Sequence, residues 1–155
     1  MVTTLRDDIK QKKPFRSLYE EAGLNVVRTA AVLNDALELV LKPHGISAAQ
    51  YNVLRILRGA EPGGLCRNEV RDRMLTRMPD MTRLLDRMEA AGLVKRSREE
   101  EDRRIVLTRI TKQGLKLVDE LDGPMGRMNK SMLGHLTDSE LRSLSDLLTL
   151  ARQGG

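Results

Sequence analysis

The chain has 155 residues, with 27 Lys or Arg against 22 Asp or Glu, a formal net charge of +5 and 40% apolar content. That length fits one domain or one compact subunit of an oligomer, the apolar share excludes a disordered chain, and no apolar run reaches membrane-span length. A single cysteine excludes an internal disulfide or a cysteine zinc site, and the charged stretch MVTTLRDDIKQKKPF lacks the apolar run of a secretory signal, so a cytoplasmic protein is expected.

Residues 1–13 are expected to form a flexible arm. From Phe15 to Leu41, apolar residues recur at Val26, Ala30, Leu33, Leu37 and Val40, which predicts a helix of well over twenty residues ended by Pro43 and Gly45. The average helix has about 11–12 residues, so one this long in so small a chain is expected to pack on a partner. Ser47 and Gln50 form a capping-box pattern that opens a helix carrying Tyr51, Val53, Leu54 and Leu57. The stretch Gly59 to Gly64 stops it. A short helix from Arg67 to Met74 and a turn at Leu75-Thr76-Arg77 lead into a helix from Met78 to Ala91. That helix has Met81, Leu84, Leu85 and Met88 on one face, Pro79 in its first turn and Gly92 at its end.

Beyond Gly92 the period becomes extended. Leu93–Arg98 and Arg104–Ile110 read as two strands joined by a charged tip, Glu99 to Arg103. Thr111 is placed at the start of a long helix with Leu115, Val118, Leu121, Met125, Met128 and Met132 on one stripe, kinked or interrupted at Gly123-Pro124. Thr137 and Glu140 form a second capping box before a final helix bearing Leu141, Leu144, Leu148 and Ala151. The fold class is mainly α with a small two- or three-stranded β wing.

The charge is not spread evenly. From Arg67 to Lys116 there are fourteen Lys or Arg and nine Asp or Glu, which accounts for the whole excess of +5. A basic segment between neutral flanks points to polyanion binding. With Phe15, Tyr19 and Tyr51 as the only aromatics, base stacking on aromatic platforms is disfavoured and groove reading of duplex DNA is left. Two helices joined by a short turn can lay the second in the major groove, while a basic ribbon tip reaches phosphates or the minor groove. This is a winged helix-turn-helix arrangement, with Met78–Ala91 as the recognition helix.

The run from Met81 to Arg96, MTRLLDRMEAAGLVKR, resembles the recognition helix and first wing strand of MarR-family regulators. The run from Glu101 to Gly114, EDRRIVLTRITKQG, is similar to that family's wing signature, an Asp-x-Arg tip followed by a strand and a Thr-x-x-Gly helix start. The resemblance runs from about Arg28 to the C-terminus. It implies residues 14–45 as an N-terminal dimerisation helix, 46–110 as the DNA-binding region and 111–155 as C-terminal dimerisation helices. It further implies an obligate homodimer on palindromic double-stranded DNA, and a repressor released by a small aromatic or phenolic effector. Dimer contacts are expected at Phe15, Leu18, Met128, Met132, Leu141, Leu144 and Leu148, and an effector pocket at Tyr19 and Tyr51.

The recognition residues depart from the family's Ser-x-Ser/Thr start: here the stretch reads Thr76-Arg77-Met78-Pro79-Asp80. Arg77 can contact guanine or phosphate, whereas Asp80 repels phosphate unless it caps the helix or accepts from a cytosine amine. Thr82 and Arg83 are assigned to DNA, with Asp80 or Asp86 as competing intrahelical partners of Arg83; Arg87 is equally a DNA contact or a partner of Asp86 or Glu89. In the wing, Asp102 is expected to hold the Arg104 guanidinium for minor-groove insertion, the alternative being a plain surface ion pair. Arg98 and Arg103 are expected at phosphates, and Asn68 and Arg71 are either phosphate contacts or a solvated face. Cys66 reads as a half-buried structural cysteine rather than a redox sensor, and His44 and His135 are too far apart for a metal site or a catalytic base. No cofactor and no enzymatic activity are expected. A winged-helix module that binds protein instead of DNA is the alternative function.

Overall fold

In the computed structural model, which describes residues 2–155, the helices are α1 (Leu5–Asp8), α2 (Leu18–Leu41), α3 (Ala48–Gly59), α4 (Arg67–Asp72), α5 (Met81–Ala90), α6 (Lys112–Leu133) and α7 (Asp138–Arg152). A 3₁₀ turn, Lys42–His44, ends α2, and Gly45 follows it in the left-handed region at φ 69°. The strands β1 (Leu65–Cys66), β2 (Val94–Arg98) and β3 (Val106–Ile110) form an antiparallel sheet in the order β1-β3-β2. The two-residue β1 pairs Leu65 with Thr108 and Cys66 with Leu107. The ribbon read from sequence therefore gains a third strand, too short to show a period of its own.

Helix starts follow side-chain chemistry. Ser47 and Thr137 each accept the amide three residues on, while Gln50 and Glu140 return the bond to the cap. At α6, the Thr111 hydroxyl accepts from the Gly114 amide at 3.0 Å and donates to the Gly92 carbonyl at 2.7 Å. Gly114 is required by close approach: a Cβ there would lie 2.2 Å from the Leu93 carbonyl oxygen. The Thr-x-x-Gly pattern is thus the weld between the end of the α5 segment and the start of α6.

The core gathers Val53, Leu54 and Leu57 of α3, Val70 of α4, Leu85 and Met88 of α5, Val94, and Val118 and Leu121 of α6, all buried. Each such side chain contributes about 1.5–3 kcal/mol by leaving water. Arg58 of α3 crosses to α6, its Nη1 2.9 Å from Asp119 and 2.8 Å from Asp122. Of the kink or interruption expected at Gly123-Pro124, the interruption is absent: Pro124 lies inside α6, which runs from Lys112 to Leu133. Its neighbours Leu121 and Met125 are buried on the core face, and that packing holds the turn together despite the missing amide.

The arm expected over residues 1–13 is in part folded: Thr4 and Asp7 cap α1, Leu5 is buried, and Asp8 accepts from Arg28 of α2 at 2.9 Å. Much apolar surface stays uncovered in the single chain. Leu18 (82% exposed) and Val27 on α2, and Leu147 and Leu150 on α7, all face solvent. Among the described residues, no helix is long and apolar enough to cross a membrane.

Candidate nucleic-acid interface

The segment between α4 and α5 is anchored from below. The amide of Leu75 donates to Oδ1 of Asn52, a buried polar side chain on α3, at 2.8 Å. The sequence reading passed over Asn52, since nothing local distinguishes it from the polar face of an amphipathic helix. Helix α5 starts at Met81, three residues later than expected. Pro79 disfavours the helical conformation at Met78, and the Asp80 carboxylate captures the Arg83 amide at 3.0 Å. Pro79 therefore stands before the cap instead of in the first turn, and Asp80 is occupied as the N-cap of α5.

Thr82 is held across the motif: its hydroxyl accepts from Nη1 of Arg67 on α4 at 2.9 Å. Arg67 was not singled out from the sequence, where one more arginine in a basic stretch carries no signal. Arg77, Arg83 and Arg87 are exposed and form no ion pair among the described residues. The carboxylates that were their candidate partners are taken. Arg96 of β2 engages Asp86 at 2.6 Å and Glu89 at 2.9 Å, and the Arg96 guanidinium holds the Glu89 carboxyl below its ordinary range.

At the wing tip, Asp102 and Arg104 lie in a turn closed by the Ile105 amide on the Asp102 carbonyl at 3.0 Å, not along a strand as their spacing implied. Oδ1 of Asp102 accepts from the Arg104 amide at 3.0 Å and from its Nε at 3.1 Å, while Oδ2 accepts from Nη2 at 3.2 Å. The Arg104 bonds lower the Asp102 pKa, first through the side chain and then through the backbone amide. The Arg104 side chain remains 91% exposed, so its fork is oriented and still free on its outer edge. Arg98 donates to the Arg103 carbonyl at 2.7 Å, closing the loop from its other side. Arg103 itself is exposed.

The remaining positions divide. Arg71 is exposed and leans on Asp72 at 3.5 Å; Asn68 is exposed beside it on α4. Arg109 is drawn inward, donating to Ser97 at 2.9 Å and to the Pro62 carbonyl at 3.2 Å. Cys66 is half-buried at the start of α4, where its amide donates to Glu69 at 2.8 Å. It lines an open cleft of about 730 Å³ between α4, α5 and the wing. Tyr51 is buried in the core and Tyr19 is 90% exposed, so the single chain does not bring the two rings together around a ligand. Met128 packs on the edge of the core, Phe15, Met132, Leu141, Leu144 and Leu148 are half-buried, and Leu18 is open to solvent.

Known proteins share this arrangement. The MarR family model matches residues 44–105. A MarR transcription factor from Planctomyces limnophilus, known from its crystal structure, is 39% identical, with a TM-score of 0.67 over 88% of this chain and 99% of that one. The HTH-type transcriptional regulator YdgJ of Bacillus subtilis (strain 168) is 31% identical over 108 residues, 70% of this chain and 65% of that protein. A MarR mutant from E. coli, crystallised with operator DNA, is 26% identical with a TM-score of 0.74, covering 87% of this chain and 98% of that one. With its three-stranded wing, helix-turn-helix and long flanking helices, the chain belongs to the MarR family of winged-helix transcriptional regulators.

Proposed function

We propose that this protein is a homodimeric repressor that reads a palindromic site in double-stranded DNA and is released by a small aromatic or phenolic effector. The observation that carries the reading is the sorting of charge around α5 and at the Asp102–Arg104 pair. Asp80, Asp86, Glu89 and Asp102 are each engaged by bonds within the fold, whereas Arg77, Arg83, Arg87 and the outer edge of Arg104 are left outward for an anion. Helix α5 then reads bases and the wing tip enters the minor groove, with Arg98, Arg103, Asn68 and Arg71 at the backbone.

Dimerisation is supported by the apolar residues that both chain ends leave in solvent, Leu18 and Val27 on α2 and Leu147 and Leu150 on α7. Two recognition helices in successive major grooves would stand about 34–36 Å apart. Tyr19, exposed near the start of α2, is available to an effector pocket that a second chain completes. The relative from E. coli bound to operator DNA favours duplex DNA over a protein partner.

The deciding experiment is to sequence genomic fragments retained by the purified protein, with its mass in solution measured alongside. A shared inverted repeat bound by a dimer is expected. Random fragments without a common motif would overturn the reading, and dimers that a panel of phenolic acids never releases from the motif would remove the effector from it.

A further inference from the structure

We propose that Arg96 is the positioning residue that makes the recognition helix and the wing act as one reading head, so that preference for an operator over any other duplex depends on it. This rests on the DNA-binding reading above. Arg96 sits in the middle of β2, opposite Thr108 of β3, and its side chain is 25% exposed. Nη2 reaches Asp86 at 2.6 Å and Glu89 at 2.9 Å, Nε donates to Glu89 at 3.3 Å, and the backbone amide donates to the other Glu89 oxygen at 2.8 Å.

Asp86 and Glu89 are three apart on α5 and therefore share a face. One planar guanidinium spans both, which a lysine ammonium, a point charge, does not reproduce. The apolar contacts of Leu85 and Met88 hold α5 against the core and set its buried face, but they are non-directional and leave the finer restraint on rotation about the helix axis to polar bonds. The Arg96 fork is directional and supplies that restraint. Beyond it, β2 pairs along its whole length with β3, and the two strands carry the turn in which Asp102 orients Arg104. The side-chain polar link between α5, which carries Arg83 and Arg87, and the wing, which carries Arg104, thus runs through Arg96.

The same fork has an electrostatic effect. Asp86 is three residues after Arg83 and next to Arg87, and its carboxylate is 54% exposed. Without Arg96 it would be free to draw Arg83, one turn earlier on the same face, back onto the helix surface at the expense of DNA.

The test compares the operator with a scrambled duplex of equal length at one salt concentration. Arg96→Lys keeps the net charge, so its affinity for the scrambled duplex should stay within about twofold, whereas operator affinity should fall about tenfold or more. Asp86→Asn opens one arm of the fork without touching the sheet, and it should lower the operator-to-scrambled ratio by about threefold or more. Thermal unfolding of each variant reports whether the fold persists. An unchanged ratio in both variants, or an equal loss on both duplexes, overturns the proposal. A wild-type protein that shows no operator preference at all would instead defeat the DNA-reading function, and this proposal with it.

Discussion

Asn52 and Leu75 are joined by one hydrogen bond of 2.8 Å that runs from a buried helix to the turn before the recognition helix. The Leu75 side chain is 81% exposed while its amide is fixed, so the turn presents its side chains from an anchored backbone. Asn52→Leu removes the acceptor and leaves that amide unpaired. A loss of about 1–3 kcal/mol is expected. Urea titration of the variant measures it, and an unchanged midpoint would show that the anchor is not needed.

Arg104 should matter through charge and shape together. Arg104→Ala is expected to weaken operator binding about tenfold or more and to reduce the salt slope by about one unit. Asp102→Ala keeps the arginine but frees its fork, so it should weaken operator binding less while leaving the slope intact. Mobility-shift titrations at several salt concentrations separate the two. Equal effects on affinity and slope from both variants would contradict the geometry.

Two glycines of α6 should respond in opposite directions. Gly114→Ala drives a Cβ to within 2.2 Å of the Leu93 carbonyl, a backbone atom that cannot swing aside. It should cost about 1–3 kcal/mol. Gly126 has nothing within 4 Å of a built Cβ and lies mid-helix. Gly126→Ala should therefore stabilise the protein by about 0.5–1 kcal/mol. Denaturant unfolding of the pair checks both signs.

Acid should weaken the fold in a defined window. Glu89, Asp102 and Asp122 have their pKa values lowered chiefly by side-chain hydrogen bonds from Arg96, Arg104 and Arg58 respectively. A depressed folded-state pKa means that the stabilisation is complete above the unfolded value, about 4 for a carboxylate, and is lost as pH falls through the folded one. The urea midpoint should accordingly be flat from about pH 7 to 5 and should fall below about 4. Glu89→Gln should make that acid fall shallower. A midpoint that declines between pH 7 and 5 would point to some other group.

The elements visible in the sequence were those whose signal is local. The caps at Ser47, Thr111 and Thr137 each place their bonding partner three residues away, and the structure forms them all. The stripe Leu115 to Met128 could be read from its period alone, because packing on one face imposes it. What escaped depends on distant partners. β1 is two residues long and exists through Thr108 and Leu107, more than forty residues on. Arg67 and Asn52 acquire meaning from Thr82 and Leu75, which no window around them contains. The start of α5 was misplaced because a proline fits the first turn of a helix as well as the position before its cap. The exposed Leu147 and Leu150 lie beside the stripe read on α7, a wider apolar face than one row of leucines predicts.

The Thr111 hydroxyl bonds at once to Gly92, just past the recognition helix, and to Gly114, in the first turn of α6. With the Gly114 backbone seated on the Leu93 carbonyl, this joint has no slack. A tilt of α6 about its first turn would therefore carry the end of α5 with it, and in the proposed complex would shift the recognition helix against the DNA.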